Sequence, residues 1–400
     1  MVKKKVIVDT LLNIVAIAFP ILVIQIVILP IIGFHIGDVQ YGLVITLVSF
    51  STLLSAPFGN VLNNIRLLTY NDYKNSVSGD FNILLVSAMI INTFTMILGT
   101  IYYEESFSLI SIILMVILSC FNLVREYLIV TFRIVLNYKA ILINNLILGV
   151  GYLLGLILFF ITGYWQLIYI LGSALSLIHV VKNSNLLKEK LTRTPLFKKT
   201  TYKSIILFLS VFIKNFLSYA DKLLIFPLLG PTAVTIYYTS TILGKIISMA
   251  VTPISGVMLS YLVKMERMKI KNFLYVLFFT LIIGVFGYII TIFISRPVLN
   301  ILYPNWAEES LELIKVTTAT AIIGMISSVI HPIILRFNNV NWQIIISGSN
   351  LVIYIICVLV FYNLYGLMGF AIGVLLASIS KLLLMVFIYL FNYPKSNLNI

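Results

Sequence analysis

Acidic residues are scarce in this 400-residue chain, with 13 Asp and Glu against 27 Lys and Arg. Charge of either sign makes up only 10% of it, against roughly 25% in a soluble domain. That shortage excludes a soluble globular protein. Cysteine is nearly missing, with Cys120 and Cys357 alone, both inside apolar runs where packing is the default role. There is no CxxC pair and no His/Cys cluster, so no metal site is expected, and no motif calls for a cofactor. Strand-like alternation is missing too, which argues against an outer-membrane barrel. No soluble domain is inserted anywhere.

What is present is apolar. Hydrophobic residues make up 61% and the mean hydropathy is +1.10. Apolar runs of 18 or more residues recur from end to end, so the chain reads as an all-α polytopic membrane protein. No cleavable signal pattern stands at the start. "MVKKK" before a long apolar run predicts a retained first helix with its N-terminus in the cytoplasm.

Twelve spans are expected, over 7–33, 41–60, 80–102, 108–132, 139–161, 164–181, 204–227, 233–258, 273–294, 311–334, 342–362 and 366–391. An even count returns the C-terminus to the cytoplasm. About 20 of the 27 Lys and Arg then fall on the cytoplasmic side, and only Arg296 lies in an outer loop. This is the positive-inside bias of a multi-pass membrane protein. It also accounts for the net charge of +14, which in a soluble protein would suggest nucleic acid.

The most basic loop, "KNSNLLKEKLTRTPLFKKTTYK" (Lys182–Lys203), separates two sets of six spans. The expected division is therefore 1–181, a linker 182–203, and 204–400. The linker reads as a solvated segment beside anionic lipid, with binding of a partner protein as the alternative. The halves echo one another. Pro30, Gly33 and Tyr41 match Pro227, Gly230 and Tyr238 at an offset of 197. Six spans per half would give both halves one orientation, related by an axis along the membrane normal. Such repeats mark transporters. The longest outer loop, "SRPVLNILYPNWAEES" (Ser295–Ser310), suggests a short interfacial helix anchored by Tyr303 and Trp306.

Ionisable groups inside spans are costly and tend to face a wet or polar interior. Lys214 lies about ten residues into span seven and Lys245 about twelve into span eight, so both sit roughly 15 Å deep. Two lysines at one depth point to an anion site; separate structural pairing is the other reading. Asp221 and Lys222 divide between an interface anchor and a transport pathway, Asp221 also being a candidate ion-coupling acid. They fall opposite Ile24 and Gln25 in the repeat, so these charges belong to the second half alone. Arg125 and Glu126 lie toward the cytoplasmic end of span four. Adjacent residues do not face one another on a helix, so no pair between them is expected. Arg125 then either snorkels or meets a phosphate, and Lys381 in span twelve divides in the same way. Asp9 reads as an interfacial acid or a coupling residue. His331, before Pro332, reads as a packed histidine at a kink or a proton relay. Asn144 and Asn145 precede Gly149, Gly151 and Gly155, which suit close helix packing.

"YADKLLIFPLLGPTAVTIYYTSTILGKIISMAVTPISGVMLS" (Tyr219–Ser260) and "FRIVLNYKAILINN" (Phe132–Asn145) resemble the seventh-to-eighth and fourth-to-fifth span patterns of a known group. It is the polysaccharide flippases, of O-antigen or capsule repeat-unit type, in the multidrug/oligosaccharidyl-lipid/polysaccharide exporter superfamily. The resemblance covers nearly the whole chain in architecture. It implies two lobes opening alternately to each side of the membrane. The implied cargo is an undecaprenyl-diphosphate-linked oligosaccharide, held by a basic cavity to which Lys214 and Lys245 would contribute. It also implies coupling to a proton or sodium gradient, with Asp221, Glu126 and Asp9 as candidate acids. A polysaccharide polymerase and chain-length proteins are the implied partners. The rivals are a multidrug exporter, which would favour an acidic cavity, and a peptidoglycan-precursor flippase, whose relatives usually have fourteen spans. A membrane polymerase or acyltransferase is the enzyme alternative; a polymerase would carry a large arginine-rich outer loop.

Overall fold

The computed structural model describes residues 2–73, 79–104, 108–262, 265, 268–338 and 341–392, and of residues 2–11, 247–261 and 341 the backbone only. Every long element among them is a helix. Helix α1 (Val2–Leu22) passes through a π-helical stretch (Val23–Ile28) into α2 (Leu29–Leu68). There follow α3 (Asp80–Tyr103), α4 (Leu109–Leu128), the short α5 (Val130–Ile134), α6 (Tyr138–Thr162) and α7 (Gln166–Lys182). Then come α8 (Phe197–Leu229), α9 (Pro231–Leu262), α10 (Ile270–Leu302), α11 (Ala307–Phe337) and α12 (Asn341–Asn392).

Eight helices among the described residues are long and apolar enough to cross a membrane. Two of these are far longer than the ~20 residues a bilayer needs: 57 residues over Leu12–Leu68 and 51 over Trp342–Asn392. Each is interrupted. Gly37 takes φ 74° and ψ 176°, and Gly366 takes φ 56° and ψ −132° beside a non-helical Tyr365. Gln166–Lys182 is a shorter apolar helix.

The chain divides into two compact units, Met1–Pro227 and Leu228–Ile400. The joint lies in the last turn of α8, just before Gly230, whose φ of 84° ends the helix. In the first unit α6 packs on α1 and α7, and α4 packs on α2, α3 and α7. A Cβ on Gly151 would come 2.6 Å from the Gly172 Cα, so α6 and α7 meet backbone to backbone. The core between α2, α3 and α4 holds Leu62, Phe81, Leu123 and Tyr127.

Helices α3 and α8 run in the same direction and are pinned at both ends. Asp80, the first residue of α3, accepts a hydrogen bond from the Tyr73 hydroxyl (2.7 Å), which pairs with Thr200 of α8 (2.7 Å). At the opposite end the Tyr103 hydroxyl donates to the Leu223 carbonyl (3.4 Å), and its ring meets Phe226 edge-on at 5.3 Å. The two spacings are equal, 23 residues from Asp80 to Tyr103 (103 − 80) and from Thr200 to Leu223 (223 − 200). At 1.5 Å per residue both are about 35 Å, enough to cross the hydrocarbon core.

In the second unit α11 is central, against α9, α10 and α12. Its seam with α9 is threaded by small hydroxyls. Thr239 meets Ser310 at 2.5 Å, and Thr317 donates to the Ser240 carbonyl at 2.9 Å. The interfacial anchor expected at Ser295–Ser310 is not one. Tyr303 and Trp306 are buried and stack on each other at 6.0 Å, because α10 continues to Leu302 and turns their rings inward.

Candidate anion-binding site

Lys214 sits midway along α8, eighteenth of its 33 residues. The helix around it is mostly apolar, with Ser210, Asn215 and Ser218 as the nearest polar side chains, so its position along a membrane-length helix puts the cation near mid-span. It is exposed, and among the described residues it has no acidic partner. Its carbonyl accepts the Ser218 hydroxyl at 3.2 Å, a bond within the helix that leaves the ammonium unchanged. An uncompensated ammonium at this depth requires water or an anion.

Asp221 and Lys222, about two turns further on, are arranged in the opposite way. Lys222 is only 3% exposed, and its ammonium is ion-paired with Asp221. The Lys222 N–H donates to the same carboxylate oxygen at 3.0 Å. The pair is self-contained and close to neutral.

Arg125 and Glu126 repeat this pattern on α4, and here the sequence expectation is corrected. Their side chains do form an ion pair. Adjacent positions diverge by about 100° around a helix, but the long arginine stem folds back sideways far enough to close the gap. Arg125 also donates to the Asn145 amide oxygen at 3.4 Å, and its Nε is buried without a partner. Polar contacts continue beside it. Ser173 donates to Asn122 (2.7 Å), Asn144 meets His179 (3.2 Å), and Arg133 donates to Asn64 (2.9 Å). Helices α4, α6 and α7 therefore share a polar row, of which only the asparagines of α6 and the α4 charges were visible in sequence.

In the second unit Lys245 is half-buried, with its ammonium 4.2 Å from the Tyr238 ring centroid. The two residues are seven apart, hence on one helix face, and the ring face stabilises the cation. Lys381 on α12 is half-buried. His331 is exposed rather than packed, because α11 continues straight through Pro332 and leaves the ring on its outer face. The side chain of Asp9 lies outside the described residues.

The fold is similar to that of solved membrane transporters. A lipid II flippase, MurJ in an inward closed conformation, superposes with a TM-score of 0.72 at 16% identity, covering 96% of this chain and 86% of that one. An inward-facing multidrug resistance transporter of the MATE family gives 0.66 at 13%, with 94% and 97% covered. The Vibrio cholerae MATE transporter VcmN, in its bent form, gives 0.60 at 13%, with 99% and 98% covered. At these identities the likeness establishes the fold. No protein-family model matches the sequence, and no curated protein matches it significantly.

Proposed function

We propose that this chain is a flippase moving a lipid-linked, diphosphate-bearing oligosaccharide, of the undecaprenyl-linked repeat-unit type, across the bacterial inner membrane by alternating access. The observation that carries the reading is Lys214, an exposed cation at mid-helix with no acidic partner among the described residues. A diphosphate held at low dielectric is strongly stabilised by fixed positive charge, while its lipid tail stays in the bilayer. Lys245 is the matching candidate in the second unit, and Arg125, Lys381 and the Asp221–Lys222 pair are secondary ones. An exporter of organic cations would favour unpaired acids at this depth instead. Both Glu126 and Asp221 are paired with bases in the structure.

The reading includes twelve spans, counting each interrupted helix as two and adding Gln166–Lys182 and α9. It includes two six-span lobes related along the membrane normal, over 1–181 and 204–400 with the linker 182–203 between, and both termini in the cytoplasm. Glu126, Asp221 and Asp9 are the candidate acids for ion coupling. A polymerase and chain-length proteins would act on the product.

The fold likeness to a lipid II flippase favours one second reading, in which the cargo is a peptidoglycan precursor. Deletion of the gene, followed by analysis of lipid-linked sugars on each membrane face, separates the two. Single repeat units trapped on the cytoplasmic face support the proposal, and trapped peptidoglycan precursor supports the second reading. Unpolymerised units accumulating on the outer face would instead mark a polymerase.

A further inference from the structure

The basic linker between α7 and α8 is folded onto the first unit. Its only acid, Glu189, turns inward onto Arg66, which also donates to the Tyr127 hydroxyl at 2.7 Å. Asn82 donates to the carbonyls of Leu186 (3.0 Å) and Glu189 (2.9 Å), and the buried Asp80 accepts the Thr194 N–H at 2.8 Å. Gly79 lets the strap lie flat, since a Cβ there would come 2.0 Å from the Lys190 carbonyl oxygen. The basic side chains are left outside. Lys188, Lys190 and Arg193, with Lys198 in the first turn of α8, are all exposed, and among the described residues none of them pairs with an acid. Leu187 and Leu191 stand between them, 43% and 64% exposed.

We propose that this face is a docking surface for the anionic phospholipid headgroups of the leaflet it meets. Three observations favour a membrane over an acidic protein. The strap joins α7, an apolar helix of 17 residues, to α8, which is long and apolar enough to cross a membrane, so it stands where the chain leaves one apolar helix and enters the next. Its exposed leucines suit the acyl boundary beneath the headgroups. Its cations are spread along a strap held rigid by side-chain-to-backbone bonds, so their positions do not depend on a partner to order them. The proposal is independent of the cargo.

Each Lys or Arg at an anionic surface strengthens attachment by roughly fivefold, and salt screens the effect. The test is native mass spectrometry of the full chain, released from mixed micelles of phosphatidylglycerol and phosphatidylcholine. The wild type is expected to retain phosphatidylglycerol preferentially, and less so in high salt. The variant Lys188→Gln/Lys190→Gln/Arg193→Gln/Lys198→Gln is expected to lower the retained glycerol-to-choline ratio by at least ~10-fold. Its melting temperature should not change, because all four side chains are exposed. As a control, Arg296→Gln should leave the ratio unchanged. An unchanged ratio in the quadruple variant overturns the proposal, as it would if the cations served an acidic protein. Equal loss of both lipids overturns it as well.

Discussion

Lys214 and Lys222 lie two turns apart on one helix, yet the first is exposed with no acidic partner among the described residues and the second is buried against Asp221. One lysine is available to a ligand and the other is consumed by the fold. The distinction separates their expected mutant phenotypes.

Lys214→Ala is expected to leave the protein's amount and melting temperature at wild-type values while reducing surface glycan at least tenfold. Lys214→Arg should restore part of it. Full glycan in Lys214→Ala would remove the anion site. Lys245→Ala provides the same test in the second unit.

Lys222→Ala should act on stability. It leaves the half-buried Asp221 carboxylate without its cation, a change that costs at most about 3–5 kcal/mol, the range for a fully buried pair. A thermal melt in detergent should show the loss. The double variant Asp221→Asn/Lys222→Met removes both charges together and should recover most of it. A double variant as unstable as the single would show that the pair is not the unit of stability.

Asp80 holds the linker as an acceptor of three hydrogen bonds, from Tyr73, the Thr194 N–H and the Thr194 hydroxyl (2.5 Å). Asp80→Ala leaves the two Thr194 donors without this partner and Tyr73 with Thr200 alone, at about 2–3 kcal/mol. Asp80→Asn keeps the shape but exchanges an acceptor for a donor, so it should destabilise almost as much. Both should speed tryptic cleavage between Lys182 and Lys203. The pKa of the Tyr73 hydroxyl in the same cluster is pushed up to about 12, chiefly by burial, so the hydroxyl keeps its proton to donate through the neutral range.

Glu104 follows α3 and accepts from the Ser111 hydroxyl, which accepts from the Gln166 amide at 3.0 Å. Burial raises its pKa, against a smaller lowering by the Ser111 bond. A carboxyl raised on folding contributes stability that is full below the unfolded value, near 4.3. That stability is lost as pH rises through the folded value. Glu104→Gln should therefore melt at or above the wild-type temperature at pH 8, with the difference shrinking as pH falls toward 4. A variant less stable than wild type at pH 8 would show that the carboxylate is favourably held there.

Much of this was legible in the sequence. Long apolar runs identify membrane helices because hydropathy is summed locally, and the breaks at Gly37 and Gly366 fall where turns between spans were expected. The depth of Lys214 follows from counting residues along α8. Other features were not legible. The Glu189–Arg66 pair joins residues 123 apart, so no local pattern announces it. The burial of Tyr303 and Trp306 depends on how far α10 continues, which aromatic content does not reveal.

The sequence by itself determined that the chain belongs in lipid, and on which turns its few charges stand, because the cost of leaving water is set residue by residue. Only the tertiary structure decided what those charges do. Pairing depends on distances between side chains, and those exist only once the helices are packed. Side-chain geometry paired Lys222 and Arg125 with their sequence neighbours, packing turned Glu189 inward onto Arg66, and among the described residues Lys214 was left without an acid.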